Sequence, residues 1–267
     1  MLELFSYTFI QNAFFAGTIV AVICAVLGLF IVLRKLSFMT DGIAHASLAG
    51  IAAAIALKAD VLLVTGTVAF LAALGINRIR EKMKISGDAA IGLLLPVGLA
   101  TGIVLLSLAH VTSVDLMSYL FGSILAITSS DLQFIVIFGA IVLVAVAVLR
   151  KQMFYIAFDE DSAKASGLPV SAINYVFFGL VGITVVLALR VAGIMLVSAL
   201  MIIPPLSALQ LKKDFTTTLV LSAAFGILSV WVGIIASYYL GVATGAAIAL
   251  SSFALFLAAS AAKRLKL

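Results

Sequence analysis

Two ionisable side chains stand four residues apart inside an apolar stretch: Asp41 and His45, in Ser37-Phe38-Met39-Thr40-Asp41-Gly42-Ile43-Ala44-His45-Ala46-Ser47. On a helix this spacing puts both on one face, about 6 Å apart along the axis. A carboxylate oxygen and an imidazole nitrogen together suit a divalent transition metal such as Zn²⁺ or Mn²⁺. Gly42, Ala44, Ala46, Ala49 and Gly50 surround the pair with small residues, which let helices approach closely or leave room for a path. Two ligands do not fill a shell of about four to six. A twofold pair of chains would bring two Asp41 and two His45 around one axis. The same spacing equally suits an Asp–His hydrogen bond that pins two helices, or a proton relay.

Other residues offer less specific chemistry. The single Cys24 excludes an internal disulfide and any multi-cysteine metal site. Cys24, Met39, Met195 and Met201 carry soft sulfur, a residue type that usually fills gaps in packing. His110 and Asp115 stand beside a short apolar stretch, and Arg190 stands at a helix end where it can snorkel. Pro204-Pro205 remove two backbone donors and predict a kink. With Ser198, Pro204 is a candidate hinge or gate. No Walker A, GxSxG or HExxH pattern occurs, so any energy source lies on another chain or in an ion gradient.

The elements that must position Asp41 and His45 follow from composition. Of 267 residues, 65% are hydrophobic and 10% charged. A soluble domain carries about 45–50% apolar and about 25% charged residues. The chain is therefore expected to be all-α, a polytopic helical bundle in a membrane. A span needs about 20 mostly apolar residues. Nine stretches qualify: 12–33, 38–57, 61–77, 89–109, 131–149, 170–189, 192–211, 216–239 and 243–262. A tenth, Leu116–Thr128, is too short and reads as a re-entrant or interfacial helix. Residues 1–11 lack the basic region and small-residue site of a cleaved signal peptide. The whole of 1–267 is expected to form one transmembrane domain.

The net charge of +5 belongs to the loops. If nine spans alternate, Arg34, Lys35, Arg78, Arg80, Lys82, Lys84, Arg150, Lys151, Lys164, Lys212, Lys213, Lys263, Arg264 and Lys266 fall on one side, and only Lys58 and Arg190 on the other. Basic loops collect on the cytoplasmic face. The N-terminus is thus expected outside and the C-terminus inside, in a plasma membrane. Nucleic acid is not the partner this charge implies. Trp231 and the Tyr238-Tyr239 pair suit anchoring at the membrane interface.

The cytoplasmic loop 151–169 has its own local grammar. Asp159, Glu160, Asp161 and Ser162 suit a helix start, where carboxylates meet the positive end of the dipole. Gly167 suits the helix end, and Pro169 blocks continuation. The product is a short helix, read either as a linker on the membrane surface or as a docking element for a cytoplasmic partner.

Several stretches, in order along the chain, resemble the permease subunit of bacterial metal-ion ABC transporters that import zinc or manganese. They are the run from Leu33 to Gly50, the run from Val114 to Thr128, the Phe158–Gly167 loop, the run from Val191 to Pro204, and Ser237-Tyr238-Tyr239 with Thr244-Gly245-Ala246. Two departures stand out: Ala49 replaces a frequent Pro, and Ser123 replaces a usual acidic residue. The resemblance implies that Asp41 and His45 line the intramembrane metal path. It implies that Asp159, Asp161, Ala163, Lys164, Ser166 and Gly167 belong to a coupling helix seated on an ATPase subunit. It also implies a second permease copy, cytoplasmic ATPases and an extracytoplasmic metal-binding protein. The expected cargo is Zn²⁺, with Mn²⁺ as alternative, no permanent cofactor and no enzymatic activity on this chain. A proton-coupled secondary carrier using Asp41–His45 as relay is the rival from another class. Because imidazole binds metal only when neutral, transport is expected to fall as the site acidifies.

Overall fold

A computed structural model describes residues 8–108 and 127–265. Among these the chain is helical, in the order α1 (Thr8–Leu33), α2 (Met39–Leu57), α3 (Val61–Met83), α4 (Gly87–Leu108), α5 (Ser129–Phe158), α6 (Glu160–Ala165), α7 (Val170–Gln210), α8 (Phe215–Leu240) and α9 (Thr244–Leu265). His110, Asp115, Ser123 and nearly all of the Leu116–Thr128 stretch lie outside the described residues.

Eight described helices are long and apolar enough to cross a membrane, against nine expected spans. The difference lies in 192–211. The chain continues from 170–189 without a loop, and Gly193 breaks the helix at φ 72°, ψ 171°, a conformation that costs any other residue dearly. Beyond the break runs a shorter apolar helix, Leu196–Gln210. Hydropathy shows no break here, because every residue from Val191 to Val197 is apolar or glycine. Helix ends also run past the expected span ends. α3 continues to Met83 and α5 to Phe158. Hydropathy stops where lipid stops, whereas Arg, Lys and Glu are good helix formers that carry the helix on into water.

The helices fall into two compact units. The first holds α1, the early part of α5, the later part of α7, α8 and α9. α1 is its axis: Ala13, Ala16, Val20, Ala21, Ile23, Cys24, Leu27, Phe30 and Ile31 are all buried, so the helix is apolar and covered around most of its circumference. Ser222 Oγ donates to the Ala25 carbonyl (3.0 Å) and Trp231 Nε1 to Thr18 Oγ1 (2.9 Å), both onto α1. Gly28 of α1 abuts the main-chain oxygen of Met201. That oxygen has lost its helical partner because Pro205, four residues on, has no N–H. Pro204 and Pro205 thus sit inside a continuing helix, and the departure from helical dihedrals falls at Gly193 instead. Cys24 and Met201 are buried in this unit, and Met39 in the other, as packing residues.

The second unit holds residues 33–115 and 144–186. It contains α2, α3, α4, the end of α5, α6 and the start of α7. Leu63, Leu71, Leu93, Val97, Val144 and Val148 are exposed. Such outward apolar faces are what lipid covers.

Candidate metal path and coupling helix

α2 carries Asp41 and His45, and its glycines and alanines set how it is held. A Cβ on Gly98 of α4 would lie 2.9 Å from Ala46 Cα, and one on Gly102 would lie 3.1 Å from Ala49 N. A Cβ on Gly50 would lie 2.8 Å from Thr65 Cα of α3. The backbones of α3 and α4 therefore rest directly on α2, the close approach that small residues permit. Twelve α2 residues are buried: Met39, Thr40, Gly42, Ile43, Ala44, Ala46, Ser47, Leu48, Gly50, Ile51, Ala52 and Ala54. Asp41, His45, Ala49 and Ala53 stay half-buried, at steps of four along one line of the helix. This line is the side of α2 that its own unit leaves uncovered.

His45 Nδ1 lies 2.9 Å from the main-chain oxygen of Asp41. A carbonyl oxygen only accepts, so Nδ1 carries the hydrogen. The lone pair then sits on Nε2, which makes Nε2 the metal-binding atom of a neutral imidazole. A metal-ligating histidine is typically oriented in this way by a bond from its other nitrogen. The bond from His45 runs to the Asp41 backbone, which orients the imidazole without calling on the Asp41 carboxylate. Among the described residues no group of three or more His, Cys, Asp or Glu could hold a metal.

The short helix α6 forms as its sequence dictates. Asp159 Oδ1 accepts from the amides of Asp161 (3.1 Å) and Ser162 (2.9 Å), and Oδ2 accepts from Ser162 Oγ (2.5 Å). These bonds hold the Asp159 carboxyl below its ordinary value of 3.8. At the other end Gly167 takes φ 84°. Its amide bonds the Lys164 oxygen (3.0 Å), and the Leu168 amide bonds the Ala163 oxygen (3.2 Å), a Schellman closure. Ala163 is the one buried residue of α6. Asp159, Asp161, Ser162, Lys164, Ser166 and Gly167 are exposed, as is Phe158. The expected coupling residues therefore share one capped turn, anchored by Ala163 and otherwise open.

Sequence reasoning missed what anchors the helix on its inner side. Both Glu160 oxygens accept from Arg80 Nη2 at 2.9 Å. Lys164 Nζ lies 3.3 Å from Glu160 Oε1. Asn174 Nδ2 donates to Glu160 (3.3 Å), and Asn174 Oδ1 accepts from Arg34 Nη1 (2.9 Å). The Arg34 guanidinium lies 4.3 Å over the Phe177 ring. Burial alone would raise the Glu160 carboxyl, but the charges of Arg80 and Lys164 outweigh it and the net shift is downward. Burial, then the like charge of Arg80, push Arg34 down to about 10 against the pull of Glu160, so it stays charged at neutral pH. In the sequence, Arg34 and Arg80 signal only which side is cytoplasmic. The one other signal is Asn174, a lone amide in an apolar run.

Of the candidate hinge residues, Ser198 is half-buried and Pro204 buried within α7. The Arg190 and Met195 side chains lie outside the described set.

The profile of a family described as ABC-3, ABC 3 transport family, matches residues 6–263. This chain belongs to that family. It is 36% identical over 253 residues to the manganese transport system membrane protein MntC of Listeria monocytogenes, covering 95% of this chain and 90% of the relative. It is 34% identical over 254 residues to the manganese import system permease protein ScaB of Streptococcus gordonii, covering 95% and 91%. Among solved structures it matches PsaBC from Streptococcus pneumoniae, in complex with a Fab, with a TM-score of 0.85 and 32% identity over 99% of this chain and 97% of that one. The ABC-3 chain is a membrane-embedded permease subunit of a metal-ion ABC transporter, with ATP hydrolysis on a separate subunit. The secondary-carrier reading is set aside on the same ground. The expected preference for zinc over manganese finds less support, since both relatives carry manganese in their names.

Proposed function

We propose that this ABC-3 permease forms the membrane path of an ATP-driven manganese importer. The observation that carries the reading is the Nδ1 bond of His45 to the Asp41 carbonyl, which leaves Nε2 as a ligand on the uncovered line of α2. Oxygen and nitrogen ligands suit both Mn²⁺ and Zn²⁺. Manganese takes precedence because of the relatives' names, which reverses the order expected from sequence. A second copy completes the shell with its own Asp41 and His45, helped by water. A metal-binding protein delivers the ion from outside. α6 docks on a cytoplasmic ATPase through Asp159, Asp161, Lys164, Ser166 and Gly167, held by Ala163. Ser198 and Pro204 lie where the chain would flex beyond the Gly193 break. The permease supplies path and gate and forms no covalent intermediate.

The test is radiomanganese uptake by metal-starved cells that carry the permease with its ATPase and binding protein. Wild type, Asp41→Asn and His45→Gln are compared at equal membrane expression, with excess zinc as competitor. Loss of uptake in both variants supports the path. Normal uptake in both overturns it. Stronger competition by zinc than by unlabelled manganese would restore the zinc order.

A further inference from the structure

The Arg34 turn, α3, α6 and α7 meet in a polar cluster that no step of the proposed transport cycle uses. Its links run in a line: Glu160 on α6 to Arg80 on α3, Glu160 to Asn174 on α7, and Asn174 to Arg34. Arg34 is the last point of that line and the first point of the α2 lead-in. It stands seven residues before Asp41, at the head of a turn in which Lys35 takes φ 56° and the Met39 amide bonds the Leu36 oxygen (2.9 Å). Leu36 in turn packs on Gly87 at the start of α4. The turn therefore ties Arg34 directly to the first residues of α2 and to the start of α4.

The donors in this cluster outnumber the acceptors. Arg34 Nε and Nη2 are shielded from solvent and have no hydrogen-bond partner among the described residues. Here one carboxylate, on the element exposed toward the cytoplasm, is shared between two guanidiniums: directly with Arg80 and through Asn174 with Arg34. Any shift of α6 alters that sharing.

We infer that Arg34 and Asn174 are positioning residues that transmit displacement of α6 to α2, and so to Asp41 and His45. The inference rests on the proposed docking of α6 on an ATPase. It adds the residues through which docking reaches the metal path.

The experiment reconstitutes the permease with its ATPase in liposomes and measures three quantities: ATP hydrolysis, Mn²⁺ transport, and Mn²⁺ affinity by electron paramagnetic resonance. Variants are Arg34→Gln, Arg34→Lys and Asn174→Ala. The expected result for Arg34→Gln and Asn174→Ala is hydrolysis within about twofold of wild type, unchanged Mn²⁺ affinity, and transport down by about tenfold. Arg34→Lys, which keeps the charge and can still reach Asn174, is expected to recover part of the transport. Hydrolysis and transport falling by one factor, or both staying at the wild-type level, overturns the inference. Should Arg34→Gln fail to assemble, Asn174→Ala carries the test alone. Wild-type complex that hydrolyses ATP but moves no manganese overturns the underlying transport reading instead.

Discussion

His45 gives its Nδ1 hydrogen to the main-chain oxygen of Asp41, 2.9 Å away and one helical turn back. The bond uses the Asp41 backbone and not its side chain, so the two residues can be separated by mutation. Asp41→Ala removes a carboxylate yet leaves the imidazole oriented. His45→Gln removes the nitrogen ligand itself. Each is expected to weaken Mn²⁺ binding by at least about tenfold, the usual scale for losing a ligand or its support. Manganese titration of purified permease, followed by electron paramagnetic resonance, gives both numbers. Equal affinity for Asp41→Ala and wild type would remove the carboxylate from the site.

Gly98 lets α4 rest on α2. A Cβ there would come within 2.9 Å of Ala46 Cα, a backbone atom that cannot swing away. Gly98→Val is expected to cost about 1–3 kcal/mol through overpacking. Thermal unfolding in detergent, followed by Trp231 fluorescence, should show a lowered midpoint. A control at Gly75, whose Cβ would meet nothing within 4 Å, should stay close to wild type when changed to Ala.

Gly167 holds φ 84° in open space, so the objection to a side chain there is conformational and not steric. Gly167→Ala is expected to destabilise the end of α6 by about 1 kcal/mol. Asp159→Ala frays the other end by removing acceptors from two amides. Faster hydrogen exchange over residues 160–168, with unchanged exchange in α8, is the expected signature. Metal uptake should fall in both variants. Unaltered exchange in both would show that the caps do not hold the helix.

Acid should release α6 only well below neutral pH. The Glu160 carboxyl is held below its ordinary 4.5, so its contribution is present above that value and fades as pH falls through the lowered one. Asp159 follows the same sign from its ordinary 3.8. Exchange of the α6 amides, corrected for intrinsic rate, should be flat from about pH 8 to about pH 5 and rise below about pH 4. A rise between pH 7 and pH 5 would point to a group other than these carboxylates.

The placement of Asp41 and His45 on one line of α2 and the capped turn of α6 were legible because their signals are local. An Asp and a His in an apolar run stand out by cost alone. The α6 caps involve residues two to five apart, and sequence displays such pairs directly. The cluster behind α6 was not legible, because Arg34 and Asn174 are separated by 140 residues, and Arg80 and Glu160 by 80. Nothing local tells a guanidinium that stacks on Phe177 from one that marks a cytoplasmic loop. Gly193 was missed for the complementary reason. It is one of 20 glycines, and only the backbone shows which of them breaks a helix. The two prolines drew attention away from it, yet α7 absorbs both, with the carbonyl freed by Pro205 facing Gly28 of α1.

The uncovered line of α2 has a last consequence. After Asp41 and His45 it continues through Ala49 and Ala53, whose methyl groups offer an ion no electrons to share. Along this helix an ion finds no second perch beyond His45, so the α2 line gives no foothold for one ion to push the next, as filters with neighbouring sites do. Under the proposed role, traffic along α2 is counted in whole protein movements. The rate of import is then capped by how often the partner subunit fires, whatever the concentration of metal outside.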